Sequence, residues 1–243
     1  MNPCVIITGA SGGIGHGAAL AFAKKGYNLA LIGNSHYDEL CRFTSDLIDN
    51  FSIDAAAFNS NVGDADEVHE AFNAIWKHFP AIDILVNCAG ISKVGLFHDM
   101  SIADWNEIIS TNLSSVFYCC REAAPFMIHM QRGKIINISS VFGIYGASCE
   151  AAYSATKGGI NAFTRSLGKE LAPSNIQVNA IAFGAIDTVM NDNLTADEKS
   201  ALSEEIPAGR FADANEAGEF VVTVAESPSY LNGQIIQFDG AWI

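Results

Sequence analysis

The stretch "CVIITGASGGIGHGAALAFAKKG", residues 4–26, sets a short β-branched run against a glycine-rich loop and then a run of helix formers. "CVIIT" (4–8) predicts a buried strand. Ala19, Phe22 and Ala23, at three- and four-residue spacing, predict a helix behind the loop. Six further apolar runs follow along the chain: "NLALI" (28–32), "DAAAF" (54–58), "IDILVN" (82–87), "KIINIS" (134–139), "IQVNAIA" (176–182) and "QIIQF" (234–238). Helical patterns such as Val68, Ala71, Phe72 and Ile75 lie between them. Seven strands alternating with helices predict an α/β fold: one Rossmann-type doubly wound domain over 1–243, its seven-stranded parallel sheet covered on both faces. No repeat or linker divides the chain. The longest interval without a predicted strand, about 183–233, opens on a polar, acidic segment after a strand's carboxyl end, and about 187–210 is a candidate substrate lid.

Composition bounds the function. A formal charge of −14 argues against the basic surface needed for nucleic acid or an anionic membrane. The N-terminus has too short an apolar run for a signal peptide, and no stretch is long enough to span a bilayer, so a cytoplasmic protein is expected. The six cysteines lack C-x-x-C spacing and read as reduced, mostly core thiols. The six histidines lack ligand spacing, and no metal is expected.

The loop after the first strand, with Gly9, Ser11, Gly12, Gly13, Ile14 and Gly15, is placed to hold a dinucleotide. Glycines allow a tight turn and close approach to a pyrophosphate, and the free N–H groups of the next helix attract its charge. The spacing is G-x-x-x-G-x-G rather than G-x-G-x-x-G, and a glycine-rich turn without ligand is the alternative reading of this stretch alone.

That spacing, with "NCAG" (87–90), Asn112 in "STNLSSVF", Ser140 after "KIINIS", and Tyr153 and Lys157 in "GASCEAAYSATKGG" (146–159), resembles the short-chain dehydrogenase/reductases from end to end. Tyr153 and Lys157, four residues apart, share one helix face. The resemblance implies that Tyr153 gives its proton to a ketone oxygen as hydride arrives from a nicotinamide. It implies that Lys157 holds the ribose and lowers the tyrosine's pKa, Ser140 binds the same oxygen, and Asn112 anchors a water beside Lys157. A tyrosine of ordinary pKa, about 10, is a poor acid–base group at neutral pH, whereas a nearby ammonium favours the phenolate.

For the cofactor, the resemblance places Asn61 and Val62 beside the adenine. Asn87, Ala89 and Gly90 fall along the adenosine and ribose, and Gly184, Ile186 and Thr188 near the nicotinamide and phosphates. The carboxylate that selects NAD is replaced by Gly33, and Asn34 and Ser35 follow it, with His36 the nearest cation. NADP(H) is favoured and NAD(H) is the alternative. Three departures stand out: Cys88 in "NCAG", Phe183 where proline is usual, and Ala241 in "DGA". Phe183 puts the placement of 184–188 in question.

The substrate divides two ways. The general likeness is to 3-oxoacyl-acyl-carrier-protein reductases, yet the two places where such enzymes carry docking cations fall at Gln131 and Ser174, with Arg132 beside the first. A negative chain also repels an acidic carrier. "GASCEAAYSATKGG" is similar to reductases of the 5-aminopentanone group on elongation factor P. There Glu150, on the face of Tyr153, would pair with a substrate ammonium; otherwise it is a solvated first-turn acid. A silent dinucleotide sensor is the third reading, and it predicts loss of one of the catalytic four. The resemblance further implies a homotetramer joined through helices at about 112–131 and 152–172 and through the last strand and its preceding helix.

Overall fold

A computed structural model describes residues 2–191 and 194–243. All seven predicted strands form: β1 (Cys4–Thr8), β2 (Asn28–Gly33), β3 (Ala55–Asn59), β4 (Ile84–Asn87), β5 (Gly133–Ser140), β6 (Ile176–Phe183), and the last, β9 (Ile235–Phe238), after two short strands named below. They make one parallel sheet in the order β3-β2-β1-β4-β5-β6-β9. The order reverses between β1 and β4, which opens a crevice at the carboxyl ends of those strands.

Alternation along the strands feeds two cores. Val5, Ile7, Ile84 and Val86 face α1 (Gly13–Lys24), α2 (Tyr37–Phe51) and α9 (Ala214–Ala225). Cys4, Ile6 and Leu85 face α3 (Ala65–His78), α5 (Ser115–Met130) and α7 (Ala151–Leu171). Two further helices lie over the carboxyl edge, α4 (Ile102–Ile109) and the single turn α6 (Phe142–Tyr145). Between α4 and α5 the chain makes a π-turn, Ser110–Ser114.

The interval expected to hold no strand does hold two short ones. β7 (Ile186–Asp187) and β8 (Ala212–Asp213) pair in parallel, with α8 (Ala196–Glu205) between them. Two-residue strands carry no period that a sequence can show. The candidate lid, 187–210, includes Asp192 and Asn193, which lie outside the described residues. Among the described residues no helix is long and apolar enough to cross a membrane, and no cluster of His, Cys, Asp or Glu is arranged to hold a metal. Of the six cysteines, all free, Cys4, Cys119 and Cys120 are buried, Cys88 and Cys149 half-buried and Cys41 exposed.

Candidate active site

The glycine loop leaves β1 through Gly9, whose φ of +66° is costly for any other residue. A Cβ there would also lie 2.7 Å from the Ala89 backbone, so the turn sits hard against the end of β4. A Cβ on Gly15 would lie 2.3 Å from the Gly9 oxygen, and one on Gly13 2.2 Å from the Thr188 methyl. The loop is therefore roofed by Thr188, which the sequence places 175 residues away from Gly13 only in chain order. Helix α1 has Gly12 as its N-cap, with no side-chain cap and no acid in its first turn. Uncapped amides, an unopposed dipole and side-chain-free backbone together fit the pyrophosphate of a dinucleotide.

The four candidate catalytic residues converge from three places. Ser140 ends β5 and Asn112 sits in the π-turn; Tyr153 and Lys157 lie one turn apart on α7. The Lys157 ammonium is buried, donates to the Ile138 carbonyl at 2.8 Å, and lies 5.4 Å from the Tyr153 ring centroid. Burial lowers its pKa to about 8. Asn112 is buried and locked: its Oδ1 accepts from the Ile91 N–H and its Nδ2 donates to the Ile91 carbonyl, both at 2.8 Å. It also donates to Thr156 Oγ1 at 3.3 Å. A Cβ on Gly90 would come 3.5 Å from Asn112 Oδ1 and 3.6 Å from Lys157 Nζ, so Gly90 lies directly beside both polar atoms.

Tyr153 departs from expectation. Its pKa is raised, first by desolvation and then by the Glu150 carboxylate, while a hydrogen bond with Ser140 pulls it down. The expected lowering by Lys157 does not appear, since that ammonium is itself made weaker by burial and is directed to Ile138. The phenol is accordingly a neutral hydrogen-bond donor, the protonation state that carbonyl reduction requires.

Glu150 is not a first-turn residue. It is the N-cap of α7, yet its side chain does not cap the helix. Its Oε2 instead accepts from Ser92 Oγ at 2.6 Å, in the loop after β4. A capping interaction worth about 1 kcal/mol is forgone, and the carboxylate is held at the rim beside Tyr153. The two loops are also tied by Gly95 N–H donating to the Cys149 carbonyl at 2.9 Å. Ser92 was missed in the sequence because nothing in "GISKVG" marks one serine as a partner for a residue 58 positions on.

The family model for short chain dehydrogenase matches residues 3–199. The chain belongs to the short-chain dehydrogenase family. It is 36% identical over 243 residues to the uncharacterized oxidoreductase YmfI of Bacillus subtilis, covering 100% of this chain and 99% of that one. It is 37% identical over 241 residues to the 3-oxoacyl-acyl-carrier-protein reductase FabG of Staphylococcus aureus, covering 99% and 98%. To the FabG of Aquifex aeolicus it is 36% identical over 236 residues, covering 97% and 95%. The family is one of oxidoreductases that use nicotinamide dinucleotides.

Within this short-chain dehydrogenase the other expected cofactor residues divide by what they present. Ala89 and Gly90 line the crevice end of β4, and their neighbour Cys88 donates its N–H, as Ala89 does, to Thr8 Oγ1. The Asn87 side chain does not face the crevice. It is buried, donates to Asn137 Oδ1 at 2.8 Å, and among the described residues its own Oδ1 has no partner. Val62 and Ile186 likewise point into the cores. These three have only backbone to offer a ligand. Asn61 uses its side chain to hold the Gly63 N–H at 3.1 Å.

Phe183, in place of proline, is fixed by packing. It is buried and meets Phe238 edge-on at 5.6 Å, and Phe238 stacks on Phe220 at 4.7 Å. Its carbonyl accepts from Val141, and the next N–H, of Gly184, donates to the Phe238 carbonyl at 3.0 Å. The 184–188 backbone is thus set by an aromatic stack and a ladder bond instead of a proline ring. Gln131, Arg132 and Ser174 can be placed within the chain. They precede β5 and β6 and so lie at the amino edge of the sheet, opposite Tyr153. Arg132 pairs there with Asp83 at 3.0 Å.

Proposed function

We propose that this chain is an NADPH-dependent reductase of ketones, with Tyr153 as proton donor. The observation that carries the proposal is Tyr153 one turn from the buried Lys157 ammonium on α7, beside Ser140 at the end of β5, in a fold whose first strand runs into an uncapped glycine loop. A dinucleotide held there would supply a hydride to the carbonyl carbon. The Tyr153 hydroxyl gives its proton to the carbonyl oxygen, and the Ser140 hydroxyl donates a hydrogen bond to that oxygen as it gains charge. The phenolate left behind takes its next proton from solvent by way of Lys157 and Asn112. Lys157 would also hold the ribose, and Gly9, Ser11, Gly12, Gly13, Ile14, Gly15 and Thr188 the phosphates.

NADPH is favoured at Gly33, where the NAD-selecting carboxylate is absent. A Cβ there would lie 2.8 Å from Leu40 Cδ2, so a side chain at this position would have to displace Leu40 of α2.

Two ketones are in view. A 3-oxoacyl thioester is supported by the printed names of the FabG relatives, and the exposed apolar rim of Val94, Leu96 and Phe97 suits an acyl chain. An amino-ketone, such as the 5-aminopentanone group on elongation factor P, is supported by Glu150, whose carboxylate is turned away from its own helix toward the rim. The site's charge favours the second. Glu150 stands beside the phenol, and Lys93, the cation of the same rim, is held by Asp104 and Glu107. Glu150→Gln separates them: kcat/KM with NADPH should fall about tenfold or more on an amino-ketone, a charge-assisted bond of about 1.5–3 kcal/mol, and change little on an acetoacetyl thioester. Equal effects on both substrates would remove the cation reading.

The remaining proposals rest on the family resemblance: a single cytoplasmic domain with a lid near 187–210, assembled as a homotetramer through α5, α7 and β9. Exposed Phe117 and Ile128 on α5 support that interface.

A further inference from the structure

Beside the carboxyl ends of β2 and β3 lies a surface hollow of about 400 Å³, lined by Asn34, Ser35, His36, Asp38, Arg42 and Asn59 among others. Arg42 was not among the residues that the sequence placed near the cofactor. It stands on the second turn of α2, beyond the reach of any strand-end motif. The start of that helix is anchored from three sides. Tyr37 OH donates to the Ala57 carbonyl at 3.3 Å, Leu40 fills the space over Gly33, and Phe43 stacks on His16 of α1 at 3.7 Å. The Arg42 Nε donates to the Asp38 carbonyl at 3.3 Å, and among the described residues its guanidinium has no carboxylate partner. The side chain lines the hollow.

We infer that Arg42 is the residue that recognises the 2′-phosphate of the adenosine and so sets the preference for NADP(H). The inference rests on the cofactor reading above and names the group that executes it. A planar guanidinium matches a phosphate face with two parallel donors, and Asn34, Ser35 and His36 supply further donors around the same space. Asp38 and Glu39 border the hollow as well, and His36 Nδ1 lies 3.7 Å from Glu39. A dianion is admitted beside two carboxylates only while Arg42 offsets them, so the preference hinges on this one side chain.

Dissociation constants measured by calorimetry on the full chain test it, for NADPH, NADH, 2′,5′-ADP and ADP, with wild type, Arg42→Ala and Arg42→Lys. Wild type should bind NADPH and 2′,5′-ADP more tightly than NADH and ADP. Arg42→Ala should weaken NADPH and 2′,5′-ADP at least tenfold while leaving NADH and ADP within twofold, with Arg42→Lys between. If wild type prefers NADPH and Arg42→Ala binds it equally well, the role of Arg42 is wrong although the cofactor reading stands. If wild type shows no preference for NADPH, the cofactor reading fails and the assignment to Arg42 with it.

Discussion

Lys157 carries its charge at a cost to the fold. It is 4% exposed, and burial lowers its pKa from 10.5 to about 8. Between those two values the unfolded chain holds a proton that the folded chain lacks, so stability rises with pH across that window. Below about 8 the penalty of a buried ammonium is present in full, about 3 kcal/mol from the gap between the two values. Lys157→Met should therefore raise Tm at pH 7 by several degrees in calorimetry while abolishing reduction. A lower Tm would mean that the bond to Ile138 outweighs the charge. In wild type, kcat/KM for reduction should decline above about pH 8 as the free enzyme's ammonium is lost, and a profile flat to pH 10 would contradict this. At this scale the four candidate catalytic residues were legible because their types and order are distinctive. The orientation of Glu150 and the reach of Arg42 were not, since each depends on a side-chain direction that only the packed loops decide.

The element that seats the site is α1, and α9 fixes it. A Cβ on Gly218 would lie 2.2 Å from the Gly17 carbonyl carbon, and one on Gly17 2.1 Å from the Ala214 oxygen, so the two helices cross backbone against backbone. Helix α9 is itself well begun, with Asp213 and Glu216 forming a capping box and Arg210 clamping Glu216 through two bonds of 2.8 and 2.9 Å. Gly218→Val should force the helices apart, at a cost of about 1–3 kcal/mol or more. The result should be a lower Tm and weaker dinucleotide binding together, read by thermal unfolding and calorimetry. Unchanged values would show the crossing to be compliant. The seven strands were readable from apolar runs, whereas this crossing was not, because each glycine alone reads as a mere helix weakener. The π-turn at Ser110–Ser114 was equally hidden: a helix from about 112 was expected, α5 starts at Ser115, and one inserted residue leaves no mark on the apolar period.

Over the whole molecule, the doubly wound order brings the ends of β1, β4 and β5 and the segment after β7 to one edge, so residues as distant as Gly13, Ser140 and Thr188 enclose a single crevice. Topology of this kind follows from alternating strands and helices and was legible in outline. The opposite edge holds Arg132, Gln131 and Ser174, and sequence adjacency could not tell one edge from the other. A net charge of −14 further sets the molecule against an acidic carrier at long range. The claim on which the rest depends is that Tyr153 is the proton donor in ketone reduction. NADPH consumption followed at saturating cofactor, with an acetoacetyl thioester and with an amino-ketone, compares wild type with Tyr153→Phe. Wild type should turn over at least one of the two, and the variant should lose that activity by at least a thousandfold while its dissociation constant for NADPH stays within about threefold. Reduction by Tyr153→Phe at more than a tenth of the wild-type rate, or no turnover of either ketone by wild type, would contradict it.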